Sequence, residues 1–132
     1  MSAFFVAGIP APKGSTKAFY NRNLGRAFVT ATNNDAQKAW ASCVAHEAAA
    51  AGLAPTNGPV RLRLDFHLKR PASLPKRVAA HLKKPDLDKL VRCVLDALTG
   101  IAYQDDSQVV GITASKTYAT GVTGCAIDVE CL

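Results

Sequence analysis

Long apolar runs are missing from this 132-residue chain. None approaches the ~20 residues that cross a bilayer, so no membrane span is expected. The N-terminus lacks a basic stretch followed by an apolar core and a cleavage site, the pattern of a secretory signal. Cysteine is sparse and unclustered. Cys43, Cys93, Cys125 and Cys131 form no C-x-x-C pair, which argues against zinc, and they read as reduced cytosolic thiols, most of them in the core. No internal repeat or low-complexity linker is present. A phosphate-cradling P-loop is absent as well: between Gly8 and Thr16 the Lys13-Gly14 order is wrong, and Pro10 and Pro12 stand where backbone N–H donors are needed.

Acid is the other scarcity, and it is local. Residues 1–85 hold 13 Lys/Arg against 3 Asp/Glu, whereas residues 86–132 hold 3 against 7, and the net charge is +6. A basic body around an acidic patch suits an enzyme acting on a polyanion, with the body attracting phosphates and a cation among the acids. Apolar residues make up 48% of the chain, too many for wholesale disorder. The length fits one domain, residues 1–132, with a compact core.

Along the chain, Ala3–Ile9 reads as a buried strand ending at Pro10. The loop Lys13-Gly14-Ser15-Thr16-Lys17 is either a phosphate contact, through Lys13 and Lys17, or plain loop. Ala18–Tyr20 and Arg26–Thr30 form a hairpin with Arg22 and Arg26 near its tip. Asn33 or Asn34 caps an Ala-rich helix running to about Ala51 and closed by Gly52, with Trp40, Val44 and Ala48 on one face and His46 on its surface or in the core. Val60–Leu68 alternates strictly, which predicts a strand with one buried face. Its other face carries Arg61 and Arg63, as a DNA-facing stripe or as solvent-facing charge.

The most basic segment is Lys69–Lys84, a long loop with Arg70, Lys76, Arg77, Lys83 and Lys84. A loop of this length in a compact domain is usually functional, and it is the best candidate for contacting DNA. His81 within it is either near the acids or an exposed loop residue. Gln108–Tyr118 and the run ending at Cys131 read as two further strands. Val110, Ile112, Ala114 and Tyr118 share a face of the first, and Cys125, Ile127, Val129 and Cys131 a face of the second. The element order β, ββ, α, β, α, β, β predicts an α/β or α+β fold: a small mixed β-sheet with two main helices packed on it.

Between the basic loop and those strands lies the stretch that organises the chain. Leu87, Leu90, Val91, Val94, Leu95 and Leu98 make one helical stripe, started after Pro85 and stopped at Gly100. Asp86 and Asp88 sit in its first turn, where free N–H groups favour an anion. On the polar face Asp88–Arg92 and Arg92–Asp96 are i, i+4 pairs. Asp105 and Asp106 follow after Tyr103. The helix is ~18 Å long, so the two acidic pairs meet only if the chain runs back along it, which would place Asp105 and Asp106 at the start of the next strand beside the helix start. Carboxylates gathered there repel one another without a cation, and oxygen-only ligands suit Mg²⁺ or Mn²⁺.

Lys84-Pro85-Asp86-Leu87-Asp88-Lys89-Leu90, then Val94-Leu95-Asp96-Ala97-Leu98-Thr99-Gly100, then Tyr103-Gln104-Asp105-Asp106-Ser107-Gln108-Val109 closely resembles the RusA family of Holliday junction endonucleases, found in bacteria, largely in prophages and phages. The resemblance covers about a quarter of the chain. It implies a RusA-like fold, a homodimer, a cytoplasmic bacterial or phage-infected setting, and Mg²⁺ (or Mn²⁺) held by Asp86, Asp88 and Asp106. Lys89 replaces the family's Asn, and Arg92 replaces its Lys one helical turn beyond Asp88, keeping the charge but not the shape or proton chemistry. Arg92 would then act on the phosphate in the transition state, with Lys13, Lys17, Arg70, Lys76, Arg77, Lys83, Lys84 and Lys89 binding branched DNA. Paired nicks in opposed strands require two sites and hence a two-fold dimer. The N-terminal strand or the Ala-rich helix is a candidate dimer surface. The alternatives are a nuclease with another branched substrate, a structure-specific DNA binder with weak catalysis, and a nucleotide phosphohydrolase.

Overall fold

The computed structural model describes residues 2–14, 16–21, 26–31, 34–75, 77–78 and 80–132, with side chains described outside 15–34. Its main sheet has four strands in the order β1 (Ser2–Ala7), β6 (Gly124–Cys131), β4 (Val60–Leu68), β5 (Val109–Tyr118). β2 (Thr16–Asn21) and β3 (Arg26–Ala31) pair separately, from Thr16↔Ala31 to Asn21↔Arg26. The helices are α1 (Asn34–Ala50) and α2 (Leu87–Leu98). This is the expected α+β arrangement, a mixed sheet carrying two helices. The predicted turn around Arg22, the Asn33 cap, the side chains of Lys17 and Arg26, and Lys76 lie outside the described residues.

β4 is the spine. Val60, Leu62, Leu64, Phe66 and Leu68 are buried while Arg61 and Arg63 are exposed, as strict alternation dictates. Cys125, Ile127 and Val129 of β6 and Val6 of β1 continue the buried face, and Trp40, Val44 and Ala48 of α1 and Leu90, Cys93, Val94 and Leu98 of α2 cover it. The apolar stripe of α2 therefore does what its spacing predicts. Arg61 and Arg63 lie on the helix-free face, paired with Glu130 at 3.3 Å and Asp65 at 3.2 Å. No described helix is long and apolar enough to cross a membrane.

Three expectations shift. β1 is an edge strand with only Val6 buried, rather than a buried strand. Val110 and Ile112 of β5 are 64% and 43% exposed, and β5 is the opposite edge of the sheet. Cys93 and Cys125 are buried but Cys43 and Cys131 are exposed, Cys131 because the strand is ending. Burial, then the nearby Asp65 charge, pushes the Cys125 thiol up to about 12, so it stays inert.

β1 and β6 approach most closely at Gly124, where φ is +153° and an added Cβ would overlap the Val6 carbonyl oxygen and press on the Phe5 ring at 2.9 Å. Gly52, past the end of α1 with φ +83°, has nothing within 4 Å. Gly124→Ala is expected to cost about 3 kcal/mol or more, beyond ordinary overpacking. Gly52→Ala should cost only the ~1–2 kcal/mol of its backbone conformation. Urea unfolding of the two variants measures the difference.

Candidate active site

β4 and β5 pair in parallel, from Val60↔Val109 to Leu68↔Tyr118, while the sheet's other pairings are antiparallel. A parallel neighbour requires a crossover, and residues 69–108 supply it. The crossover helix α2 must run against both strands, so its start lies at their C-terminal ends and its end at their N-terminal ends. Two contacts fix this. Lys116, late in β5, donates to the carbonyls of Lys83 and Pro85 just before the helix. Tyr103, just before β5, donates its hydroxyl to the Leu95 carbonyl at 2.6 Å.

This topology corrects the expected meeting of the two acidic pairs. Asp86 and Asp88 are at the start of α2, whereas Asp105 and Asp106 are beside its end, where the Asp96 charge acts on Asp106. Among the described residues no three His, Cys, Asp or Glu side chains form a group that could hold a metal ion. The carboxylate set implied by the family resemblance does not assemble within one chain. The expected Asp88–Arg92 and Arg92–Asp96 ion pairs also do not form among the described residues. Asp96 is taken by Lys13 at 2.5 Å and Asp86 by Lys89 at 4.0 Å, leaving Asp88 and Arg92 exposed. Asp86 occupies the N-cap position of α2 without a side-chain capping bond, so its carboxylate is available for another partner.

A cleft of about 470 Å³ opens beside Asp86, lined by Pro10, Pro12, Lys13, Lys84, Pro85 and Lys89 among others. The loop Lys13 belongs to is held on the helix, its backbone N–H donating to the Lys89 carbonyl at 2.9 Å. Lys83, Lys84 and Arg77 are exposed nearby in sequence. Arg70 instead works within its own loop: its guanidinium donates to the carbonyls of Pro75 (2.7 Å) and Val78 (2.5 Å) and lies 5.2 Å from the centre of the Tyr118 ring. His81 is buried rather than exposed. It is 8% exposed, packed 4.8 Å from Tyr118, and its Nδ1 has no partner. Burial, then the Lys116 charge, holds it below the usual imidazole range.

At the other end of α2, Gln108 does structural work that its spacing signals only in retrospect. Its Oε1 accepts from the backbone N–H groups of Gln104 (2.8 Å) and Asp105 (2.9 Å), and its Nε2 donates to the carbonyls of Thr56 (2.8 Å) and Gly58 (2.9 Å). Asp105 accepts from the Ser107 N–H, so Asp105 and Gln108 form a capping box on the one-turn 3-10 helix Asp106–Gln108. The Ser107 N–H and the neighbouring Asp106 carboxyl hold Asp105 below the usual carboxylate range. Asp106 is pushed up, first by its hydrogen bond with Asp105, then by desolvation and by the charges of Asp105 and Asp96. The two shifts are opposite in sign, as expected of neighbouring carboxyls that repel one another, and such a pair favours a cation.

Residues 10–130 match the family described as endodeoxyribonuclease RusA. The chain belongs to the RusA family. A 36-residue stretch is also 53% identical to the uncharacterized protein YqaN of Bacillus subtilis (strain 168), covering 27% of this chain and 25% of that protein.

Two outcomes follow. Gln108→Ala removes four bonds from a partly buried side chain and is expected to cost about 2–3 kcal/mol, loosening 104–108 while the sheet persists, as amide exchange would show. Burial disfavours the charged imidazole of His81, so its contribution is complete above pH 6.5, the unfolded value, and declines as pH falls through its lower folded value. Thermal melts from pH 8 to 5 should show a shallower acid loss in His81→Phe, which keeps the ring on Tyr118 without titrating.

Proposed function

We propose that this chain is a divalent-cation-dependent endodeoxyribonuclease that resolves four-way DNA junctions by paired nicks, acting as a homodimer. What carries the reading is the half-buried Asp86 in a lysine-lined cleft, with the exposed Asp88 in the same first turn of α2, in a RusA member. Lys13, Lys84 and Lys89 would hold backbone phosphates there, and Arg92, exposed one turn along the same helix, would meet charge growing on the phosphate. Mg²⁺, with Mn²⁺ as substitute, is the proposed cofactor. A single chain does not present the three carboxylates together.

A second copy supplies the missing group. Two chains related by a two-fold axis with their α2 helices antiparallel would set the Asp105/Asp106 end of each against the Asp86/Asp88 end of the other. The surface suits that pairing: its two ends carry opposite charge, Asp96, Asp105 and Asp106 against Lys83, Lys84 and Lys89. The exposed Val110 and Ile112 of the edge strand β5 flank the acidic end. This surface is favoured over β1 or α1 as the dimer contact.

The test is a nicking assay on a synthetic four-way junction with Mg²⁺. Asp88→Asn and Asp106→Asn should each lose about 100-fold or more, the scale of removing one charged group from a transition state, while keeping junction binding. Mixing the two inactive proteins is the sharper measurement. In a mixed dimer one composite site is doubly altered and the other intact, so single-strand nicks should return. No rescue, with dimers confirmed by mass, would mean that the site lies within one chain. Tight binding with no cutting by the unaltered protein in Mg²⁺ or Mn²⁺ would leave a structure-specific DNA binder.

A further inference from the structure

The basic segment 69–84 is long for a connection between a strand and a helix, yet it is tied to the end of β5 at both of its ends. Near its start, the Arg70 guanidinium lies over the Tyr118 ring. Near its end, His81 packs against the same ring, and Ala80 bridges Thr117 in antiparallel register. Ala119 closes the base by donating its N–H to the Leu68 carbonyl at 2.7 Å. Lys116 adds a contact of another kind. Its Nζ donates to the carbonyl of Lys83 at 2.7 Å and to that of Pro85 at 2.9 Å.

Those two carbonyls bracket Lys84, and the next residue is Asp86. Bonds from an ammonium to both fix the Lys83–Lys84 and Pro85–Asp86 peptide groups. They thereby set the direction in which the Lys84 side chain leaves the loop and the Asp86 and Asp88 carboxylates leave the helix start. Two of the three ammonium protons are occupied in this way, which leaves Lys116 poorly placed to serve as a phosphate contact. It is only partly buried and outside the apolar core, so its replacement leaves the packing of the sheet and helices in place.

We infer that Lys116 is a positioning residue for the proposed cutting reaction, holding 83–86 so that the Lys84 ammonium and the Asp86/Asp88 carboxylates address the same phosphate. The inference rests on the proposed function, but its structural half stands without it. Displacing reacting groups by about 1 Å costs on the order of 100-fold in rate, so loss of the clamp should appear in the cutting step rather than in binding.

The experiment compares the full-length protein with Lys116→Met and Lys116→Arg. In Lys116→Met the cutting rate at saturating protein should fall on the order of 100-fold with junction affinity unchanged. Lys116→Arg, whose guanidinium can also reach two carbonyls, should recover most of the rate. Amide exchange should rise across 83–88 in Lys116→Met and stay unchanged in β4 and β6. Weakened binding with an unchanged rate at saturation would make Lys116 a DNA contact and overturn the inference, and so would unchanged exchange across 83–88. If the unaltered protein cuts no junction, the proposed function fails, and the exchange result alone then supports or overturns the clamp.

Discussion

The parallel pairing of β4 with β5 is the constraint on which the rest of the molecule depends. An antiparallel neighbour could have followed β4 after a short turn. A parallel one forces the chain to return the length of the strand before pairing, and α2 makes the return. The helix is thereby pressed onto the sheet by Leu90, Cys93, Val94 and Leu98, with its polar face outward. Both acidic pairs, the Lys13 loop and the basic segment 69–84 attach to this one crossover. A change that weakened the parallel pairing would displace the candidate site as a whole.

The two ends of α2 are held by different physics. The start is held by charge-assisted and ring contacts from the end of β5: Lys116 on backbone carbonyls, and Tyr118 between Arg70 and His81. The finish is held by backbone satisfaction. Gly100 turns in the left-handed region and donates to the Tyr103 carbonyl, Tyr103 reaches back to Leu95, and Gln108 ties the Asp105 backbone to the strand-entry loop at Thr56 and Gly58. The acids at the finish are therefore set on a rigid turn. Those at the start depend on the placement of a long basic loop, the part most open to a bound polyanion.

Local pattern carried a large part of this. The stripe from Leu87 to Leu98 bounded α2 by residue, the alternation in Val60–Leu68 gave the burial of β4, and Lys-Pro-Asp-Leu-Asp with Asp-Asp-Ser-Gln was enough to suggest the family. What local pattern does not carry is which strands pair and in what sense. Periodicity is the same for a parallel and an antiparallel neighbour, so the separation of Asp86 and Asp88 from Asp105 and Asp106 could not be read from it. His81 escaped for a related reason: its burial depends on Tyr118, 37 residues away, and nothing near His81 announces that ring. Gln108 was in plain view within the motif, but its role emerges only when the carbonyls of Thr56 and Gly58 stand opposite it.

Electrostatics explains why one chain should keep its acids apart. Asp105 and Asp106 already repel one another, and the Asp96 charge adds to the upward push on Asp106 even in the open. Bringing Asp86 and Asp88 into the same space during folding would set more like charges together with no cation to relieve them, and a domain of this size has only ~5–15 kcal/mol of stability to oppose that repulsion. In the proposed dimer the cost would move from folding to association. There opposite charge at the two ends of α2, apolar contact at Val110 and Ile112, and the proposed cation would offset it. On this reading the charge asymmetry of the chain, basic before residue 86 and acidic after it, serves to keep the separate chain stable as well as to attract DNA.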